Sequence, residues 1–329
     1  MHTPPITRRR LRTIILVMCF APLTLLSAGC DSNNNAPLPI GEPEVSPADD
    51  IGPFSIGHYK LTFTNQHGLY GADIYFPADD QGNPDDSAGP YPIMTFSPGL
   101  GAVKEFNTWV GEHLSTHGYV VMVFSVPIPF IKYYNQQKDG LITGLQVLQE
   151  QGSDPDSPIF GMTDTSKRII GGHSMGAMGS LVAASKTSDL SAVVALAPTE
   201  LSSEELSGIT APTQIQGANE DCITRASGAL GAYDNLPESI SKQVLVINGG
   251  NHVGFNDAGS LAAIAGQLLV DCTATIDIQN HQQLLSRRYM TAWLNYHVKG
   301  QTDAYDTLYG GAAAVDLTNL FLTTNQSEP

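Results

Sequence analysis

The side chain best placed to do chemistry in this 329-residue chain is Ser174, at the centre of Gly172-His173-Ser174-Met175-Gly176. A short run, Arg168-Ile169-Ile170-Gly171, leads into it, and a small-residue helical pattern from Ala177 to Lys186 follows at once. Strand, sharp turn and helix are the context in which a serine hydroxyl is held exposed as a nucleophile. Such a turn strains its central residue and crowds its neighbours, so Gly172 and Gly176 fit the positions flanking it. The helix that follows would present its N-terminus to negative charge developing at Ser174.

A serine hydroxyl is too weakly acidic to attack an ester unaided at neutral pH, so a base and an orienting acid are required. Asp221 in Gly217-Ala218-Asn219-Glu220-Asp221 and His252 in Gly249-Gly250-Asn251-His252 each follow an apolar run that reads as a core strand. His252 is the expected general base, and Asp221 is expected to fix its tautomer and stabilise the imidazolium. Glu220 and Asp257 compete for the acid role, and Asp221 has the bland alternative of capping a turn. His58, His67, His113, His117, His281 and His297 lie in an early hairpin, on helices or at their ends, away from a late strand end. An oxyanion would need two backbone N–H donors. Met175, next after the serine, and Leu100, in Ser97-Pro98-Gly99-Leu100-Gly101, are the candidates. Leu100, Met175, Thr199 and Val253 are the candidate substrate-lining residues. No pair of histidines stands at metal-ligand spacing near a suitable acid, and no metal or cofactor is expected.

The elements that must position these groups alternate. Tyr59 to Asn65 and Leu69 to Phe76 flank Gln66-His67-Gly68 as an antiparallel hairpin. Tyr91–Phe96, Tyr119–Phe124, Lys167–Gly171, Ala192–Ala197, Thr213–Gly217 and Gln243–Asn248 read as buried strands. Apolar residues at helical spacing mark helices over Glu105–His117 and Asp139–Gln151, and a last helix from about His281 to His297 is expected to finish the core. Strands alternating with helices imply an α/β fold with a doubly wound, mostly parallel sheet of about eight strands, whose functional groups gather beyond the strand C-termini. The order Ser174, Asp221, His252 along the chain is that of the α/β-hydrolases.

The N-terminus points to export. Arg8, Arg9, Arg10 and Arg12 precede an uncharged apolar run from Thr13 to Leu26, then Ser27-Ala28-Gly29-Cys30. A basic region and a short apolar run read as a signal peptide over residues 1–29, too short for a comfortable membrane span. Gly29-Cys30 resembles a bacterial lipobox, which would make Cys30 lipidated, and Thr7-Arg8-Arg9-Arg10-Leu11 looks like a twin-arginine signal. Residues 30–51 are polar, acidic and Pro-rich and read as a disordered tether, leaving residues 52–329 as one catalytic domain. The first 29 residues hold four of the 16 basic side chains and none of the 32 acids, so without them the net charge is −20. That surface argues against nucleic acid and anionic membranes as partners. Membrane attachment would come only through a lipid on Cys30, and a monomer is expected. Cys222 and Cys272 remain, and in an oxidising compartment two leftover thiols are expected to pair.

From about Gly52 to Gly300 the chain resembles the bacterial cutinase and polyester-hydrolase (PET hydrolase-like) group of the α/β-hydrolases. The segments that carry the likeness are Ile74-Tyr75-Phe76-Pro77, Ser97-Pro98-Gly99, Trp109 through Leu114 to His117-Gly118-Tyr119-Val120-Val121, Gly172-His173-Ser174-Met175-Gly176, Ala195-Leu196-Ala197-Pro198 and the acid loop ending at Asp221. The resemblance implies a serine carboxylic ester hydrolase acting on apolar acyl or aromatic esters without a cofactor. It also implies a Cys222–Cys272 bridge tying the acid loop to the region after the histidine loop. At two positions the chain departs from the group. Leu100 stands where an aromatic side chain is usual and Thr199 where Trp is usual, so an aromatic clamp for a planar polymer unit is missing. Phe96 through Ala102 looks equally like platelet-activating-factor acetylhydrolases, which deacylate short-chain phospholipids. A surface-binding lipoprotein that keeps the fold without catalysis is the alternative from another class.

Overall fold

A computed structural model describes residues 39, 41–43, 51–257 and 276–328, with side chains of the last stretch described from residue 281 onward. The described residues all belong to the unit running from Ala36 to Pro329. The expected signal peptide, Cys30 and Cys272 therefore lie outside the described residues, as does most of the expected tether.

Strand β1 (Ser55–Asn65) turns at Gln66-His67 into β2 (Gly68–Ala78), and the two pair antiparallel along their full length. Next come β3 (Tyr91–Ser97), α1 (Thr108–Thr116), β4 (Val120–Ser125), α2 (Asn135–Ser153), β5 (Thr163–His173) and α3 (Met175–Ala184). The chain continues through β6 (Ala192–Leu196), α4 (Ser203–Leu206), β7 (Thr213–Ala218), α5 (Arg225–Asp234) and β8 (Lys242–Ile247). Helices α6 (Ile276–His297), α7 (Tyr305–Tyr309) and α8 (Gly311–Thr318) and strand β9 (Leu322–Glu328) complete it.

The nine strands form one sheet in the order β1-β2-β4-β3-β5-β6-β7-β8-β9. Pairing is parallel from β4 through β3, β5, β6 and β7 to β8, with antiparallel β1, β2 and β9 at the edges. This is the α/β-hydrolase fold. Period-2 alternation explains its two cores. Ile93, Val120, Met122, Ile170, Val193 and Val244 point to one side, where Leu141, Leu145 and Leu148 of α2 and Leu181 of α3 cover them. Their strand neighbours Met94, Val121, Val123, Ile169, Val194 and Leu245 point to the other, under Trp109 and Leu114 of α1 and Tyr289 and Trp293 of α6.

Helix α6 does not finish the core, contrary to the expectation from the sequence pattern. Three further elements follow α6, and β9 caps the β8 edge, making nine strands instead of about eight. Strand β9, Leu322-Thr323-Thr324-Asn325-Gln326-Ser327-Glu328, is mostly polar because it is an edge strand with little to bury, so it carries no apolar alternation to read. It is held by a buried link upstream. Asp316 of α8 accepts from Arg288 Nη1 at 2.8 and 2.9 Å and from Tyr289 Oη at 2.8 Å, joining α8 to α6. Asp316→Ala removes the acceptor for both side chains, and urea unfolding should show a loss of about 3 kcal/mol, the scale for a broken buried pair; a loss under about 1 kcal/mol would make this link incidental.

Candidate active site

The turn after β5 carries Ser174 at φ +57° and ψ −118°, a conformation that non-glycine residues rarely adopt. The fold imposes it from three sides. The Ser174 N–H donates to Leu196 O at the end of β6 at 2.8 Å, and Met178 N–H in α3 donates back to Ser174 O at 3.1 Å. A Cβ on Gly172 would stand 2.3 Å from Gly176 C, and one on Gly176 would stand 2.0 Å from Ser97 O. Both glycines are therefore required by close backbone approach.

His252 and Asp221 reach this turn from the loops after β8 and β7. His252 Nε2 lies 2.9 Å from Ser174 Oγ, and His252 Nδ1 lies 2.7 Å from Asp221 Oδ2. Asp221 can only accept, so Nδ1 carries the proton and Nε2 is left as the acceptor for the serine hydroxyl. Asp221 accepts through Oδ1 from the N–H groups of Ile223 and Thr224 at 2.8 and 2.9 Å, and through Oδ2 from Thr224 Oγ1 at 2.7 Å. Burial alone would raise its pKa; the hydrogen bonds from His252 and Thr224 and the attraction of His252 prevail and hold it at about 2. The turn-capping role and the contact with His252 thus coexist: Oδ1 takes the two turn N–H groups, and Oδ2 takes the Thr224 hydroxyl together with His252.

Three of the competing groups are engaged elsewhere. Asp257 accepts from the Thr108 N–H and hydroxyl at 2.7 and 2.9 Å at the start of α1. His67 meets Asp139 at 2.8 Å, and His113 meets Thr291 at 2.8 Å.

The His252 loop is clamped by hydrogen bonds whose roles sequence patterns did not single out. Gln282 of α6 accepts from Asn251 N–H at 2.9 Å and donates to Asn251 O at 2.8 Å. Glu220 N–H donates to Gly250 O at 2.9 Å, tying the acid loop to the histidine loop. Trp109 Nε1 donates to Phe255 O at 2.9 Å and fixes the far end. His173, beside the serine, lies 3.0 Å through Nε2 from His252 O. The carbonyl only accepts, so Nε2 carries the proton. The two rings meet at 4.7 Å between centroids. Only the Gly-His-Ser-Met-Gly motif offered a hint of this; Thr224 and Gln282 had no signal beyond ordinary polarity.

Gly99 and Ala102 close a turn, Ala102 N–H to Gly99 O at 3.2 Å, with Gly101 at φ +72°. A Cβ on Gly99 would lie 2.9 Å from Ser174 Cβ and 3.3 Å from its Oγ, so this loop presses directly on the nucleophile. Leu100 is exposed on it, whereas Met175, which opens α3 and so lacks an intrahelical acceptor for its N–H, is buried. Val253 is buried directly after His252. Thr199 is half-buried with its hydroxyl turned to Met178 Sδ at 2.8 Å.

A serine at the strand-to-helix turn of this sheet, with a histidine and an acid converging from later strands, is the arrangement of a carboxylic ester hydrolase of the α/β-hydrolase class. The PET hydrolase-like family model matches residues 37–271, and the chain belongs to that family. It is 31% identical over 206 residues to Cutinase 1 of Thermobifida cellulosilytica, covering 62% of this chain and 74% of that one. To a cutinase of Thermobifida fusca it is 31% identical over 206 residues, 62% of this chain and 64% of that one. It is 27% identical over 213 residues to the bis(hydroxyethyl) terephthalate hydrolase of Streptomyces coelicolor, 64% of each chain. The chain thus spans between about two thirds and three quarters of these relatives.

The buried His173 has a consequence for acid stability. Burial first, then the neighbouring His252, lowers its pKa from 6.5 to about 3, with the attraction of Asp221 and the bond to His252 O acting the other way. The unfolded chain takes up this proton near pH 6.5 and the folded chain only near pH 3. The stabilisation is therefore complete above pH 6.5 and is lost as pH falls between those values, by about 1.4 kcal/mol per unit. Urea unfolding at pH 6.5 and 4.5 should show wild type losing about 2 kcal/mol more than His173→Phe; equal losses would contradict a neutral buried His173.

Proposed function

We propose that the protein is an exported cutinase-like serine esterase acting through an acyl-enzyme on Ser174. The observation that carries this is the 2.9 Å approach of Ser174 Oγ to His252 Nε2, backed by Asp221 at 2.7 Å. As Ser174 Oγ attacks the ester carbonyl, its proton passes to His252 Nε2 and the carbonyl electrons move to the oxygen. The N–H groups of Leu100 and Met175 receive that oxyanion. Collapse breaks the carbon–oxygen bond of the ester, and His252 gives its proton to the departing alcohol. Water then repeats the sequence against the acyl-enzyme and restores Ser174. Asp221 stays ionised throughout, since its pKa is about 2.

Leu100, Met175, Thr199 and Val253 line the acyl site in this reading. Without an aromatic residue at 100 or 199, flexible aliphatic esters suit it better than planar aromatic units. Export rests on the basic and apolar N-terminal run, with residues 1–29 removed and Cys30 lipidated. Pairing of Cys222 with Cys272 would brace the acid loop.

Turnover of dissolved p-nitrophenyl butyrate should fall at least about a thousandfold in Ser174→Ala. Retention of more than about a hundredth of the rate would remove Ser174 as nucleophile. In a panel of tributyrin, aliphatic polyester, terephthalate polyester and a short-acyl phospholipid, the first two should be preferred; a strong preference for the phospholipid would replace the cutinase-like reading. Mass spectrometry of exported protein should find acylated Cys30 at the N-terminus and Cys222 and Cys272 in one disulfide-linked peptide pair. An unmodified N-terminus beyond residue 30 would remove the anchor, and free thiols would remove the bridge.

A further inference from the structure

Between β4 and α2 the chain reads Val126-Pro127-Ile128-Pro129-Phe130-Ile131-Lys132-Tyr133-Tyr134, and most of its large side chains face solvent. Phe130 is 78% exposed, Tyr133 73%, Ile128 53% and Ile131 38%. Single exposed apolar residues are ordinary, but a contiguous group marks a contact surface, because burying each would contribute stability that the isolated fold forgoes. The group is held outward. Gln136, itself buried, accepts from Ile128 N–H at 3.0 Å and donates to Ile128 O at 3.1 Å, clasping the base of the loop. Pro127 and Pro129 fix the backbone angles at its start.

This surface is continuous with the site. Gly101 N–H donates to Pro129 O at 2.8 Å, and a Cβ on Gly101 would lie 3.1 Å from the Phe130 ring. The same turn carries exposed Leu100 and presses Gly99 on Ser174. Phe130 and the exposed Leu100 thus both border the Gly99–Ala102 turn that abuts Ser174.

We propose that the Ile128–Tyr133 loop is the adsorption surface through which the enzyme engages a neutral, water-insoluble aliphatic polyester. The inference rests on the esterase reading above and adds the physical state of its substrate. Charge selects the partner. From Val126 to Gln137 the only charged side chain is Lys132, in a chain with 32 acids against 16 basic residues. A neutral patch on an acidic protein suits an uncharged surface, and one lysine is too few cations to hold a phosphate headgroup layer. Because the hydrogen bonds with Gln136 and Gly101 and the two prolines hold the start of the loop, adsorption costs less conformational freedom there.

The test measures hydrolysis and binding on poly(ε-caprolactone) particles beside turnover of dissolved p-nitrophenyl butyrate, with the intact protein. Ile131→Ser combined with Tyr133→Ser should leave the dissolved ester within about twofold while the particle rate and the bound fraction fall roughly tenfold. Adding Phe130→Ser should lower the ratio of particle to dissolved rates further. An unchanged ratio would overturn the proposal. So would tighter wild-type binding to phosphatidylcholine vesicles than to the particles, or self-association abolished by the same substitutions. If wild type cleaves neither ester, the esterase reading falls on its own, and particle binding alone then judges the loop.

Discussion

A serine held at φ +57° costs on the order of 1–3 kcal/mol, and it persists only where its surroundings leave no alternative. Here they leave none. The end of the strand behind Ser174, Ile169 to His173, is buried on both faces, β6 takes the serine N–H, the helix ahead takes its carbonyl, and Gly176 touches the end of β3 too closely for any side chain. The parallel arrangement of β3, β5 and β6 is what sets those three approaches side by side. Everything the candidate site does follows from Ser174 Oγ standing at a fixed point above the strand ends.

Around that point the protein solves a second problem, which is to hold His252 on a loop with the accuracy of a regular element. Short hydrogen bonds to backbone do this from separate directions: Gln282 at Asn251, Glu220 at Gly250, His173 near His252 O and Trp109 at Phe255. Two of these partners come from helices on the face opposite α2 and α3, so the packing of α1 and α6 determines loop geometry as well as core stability. The acid is treated the same way, held by the turn through both oxygens while Oδ2 also meets the imidazole. Such bracing reduces the reorganisation needed as charge develops.

The strands and the serine turn were legible in the sequence because their signals are local. A buried parallel strand is a run of apolar residues, and a strained turn requires glycine at fixed offsets. The order and loop context of Asp221 and His252 made them candidates, and the structure brings His252 within hydrogen-bond reach of both Asp221 and Ser174, through opposite ring nitrogens. Elements with no local signal were not legible. Strand β9 is polar because it caps an edge, and α5, α7 and α8 are short or rich in Ala and Gly, without a strong apolar stripe. Gln282 and Thr224 act through backbone or carboxylate partners that only tertiary structure defines. His173 was visible as part of a motif, while its role beneath His252 depends on a loop 79 positions away.

The central claim is that Ser174 is activated by His252 in the intact fold, and its most direct measurement is covalent. Treatment with a fluorophosphonate probe, followed by peptide mass spectrometry, should place a single phosphonyl adduct on Ser174. Labelling should slow by at least about a hundredfold in His252→Ala with the fold retained by circular dichroism. An adduct on another serine, or labelling of Ser174 at the same rate without His252, would contradict the account.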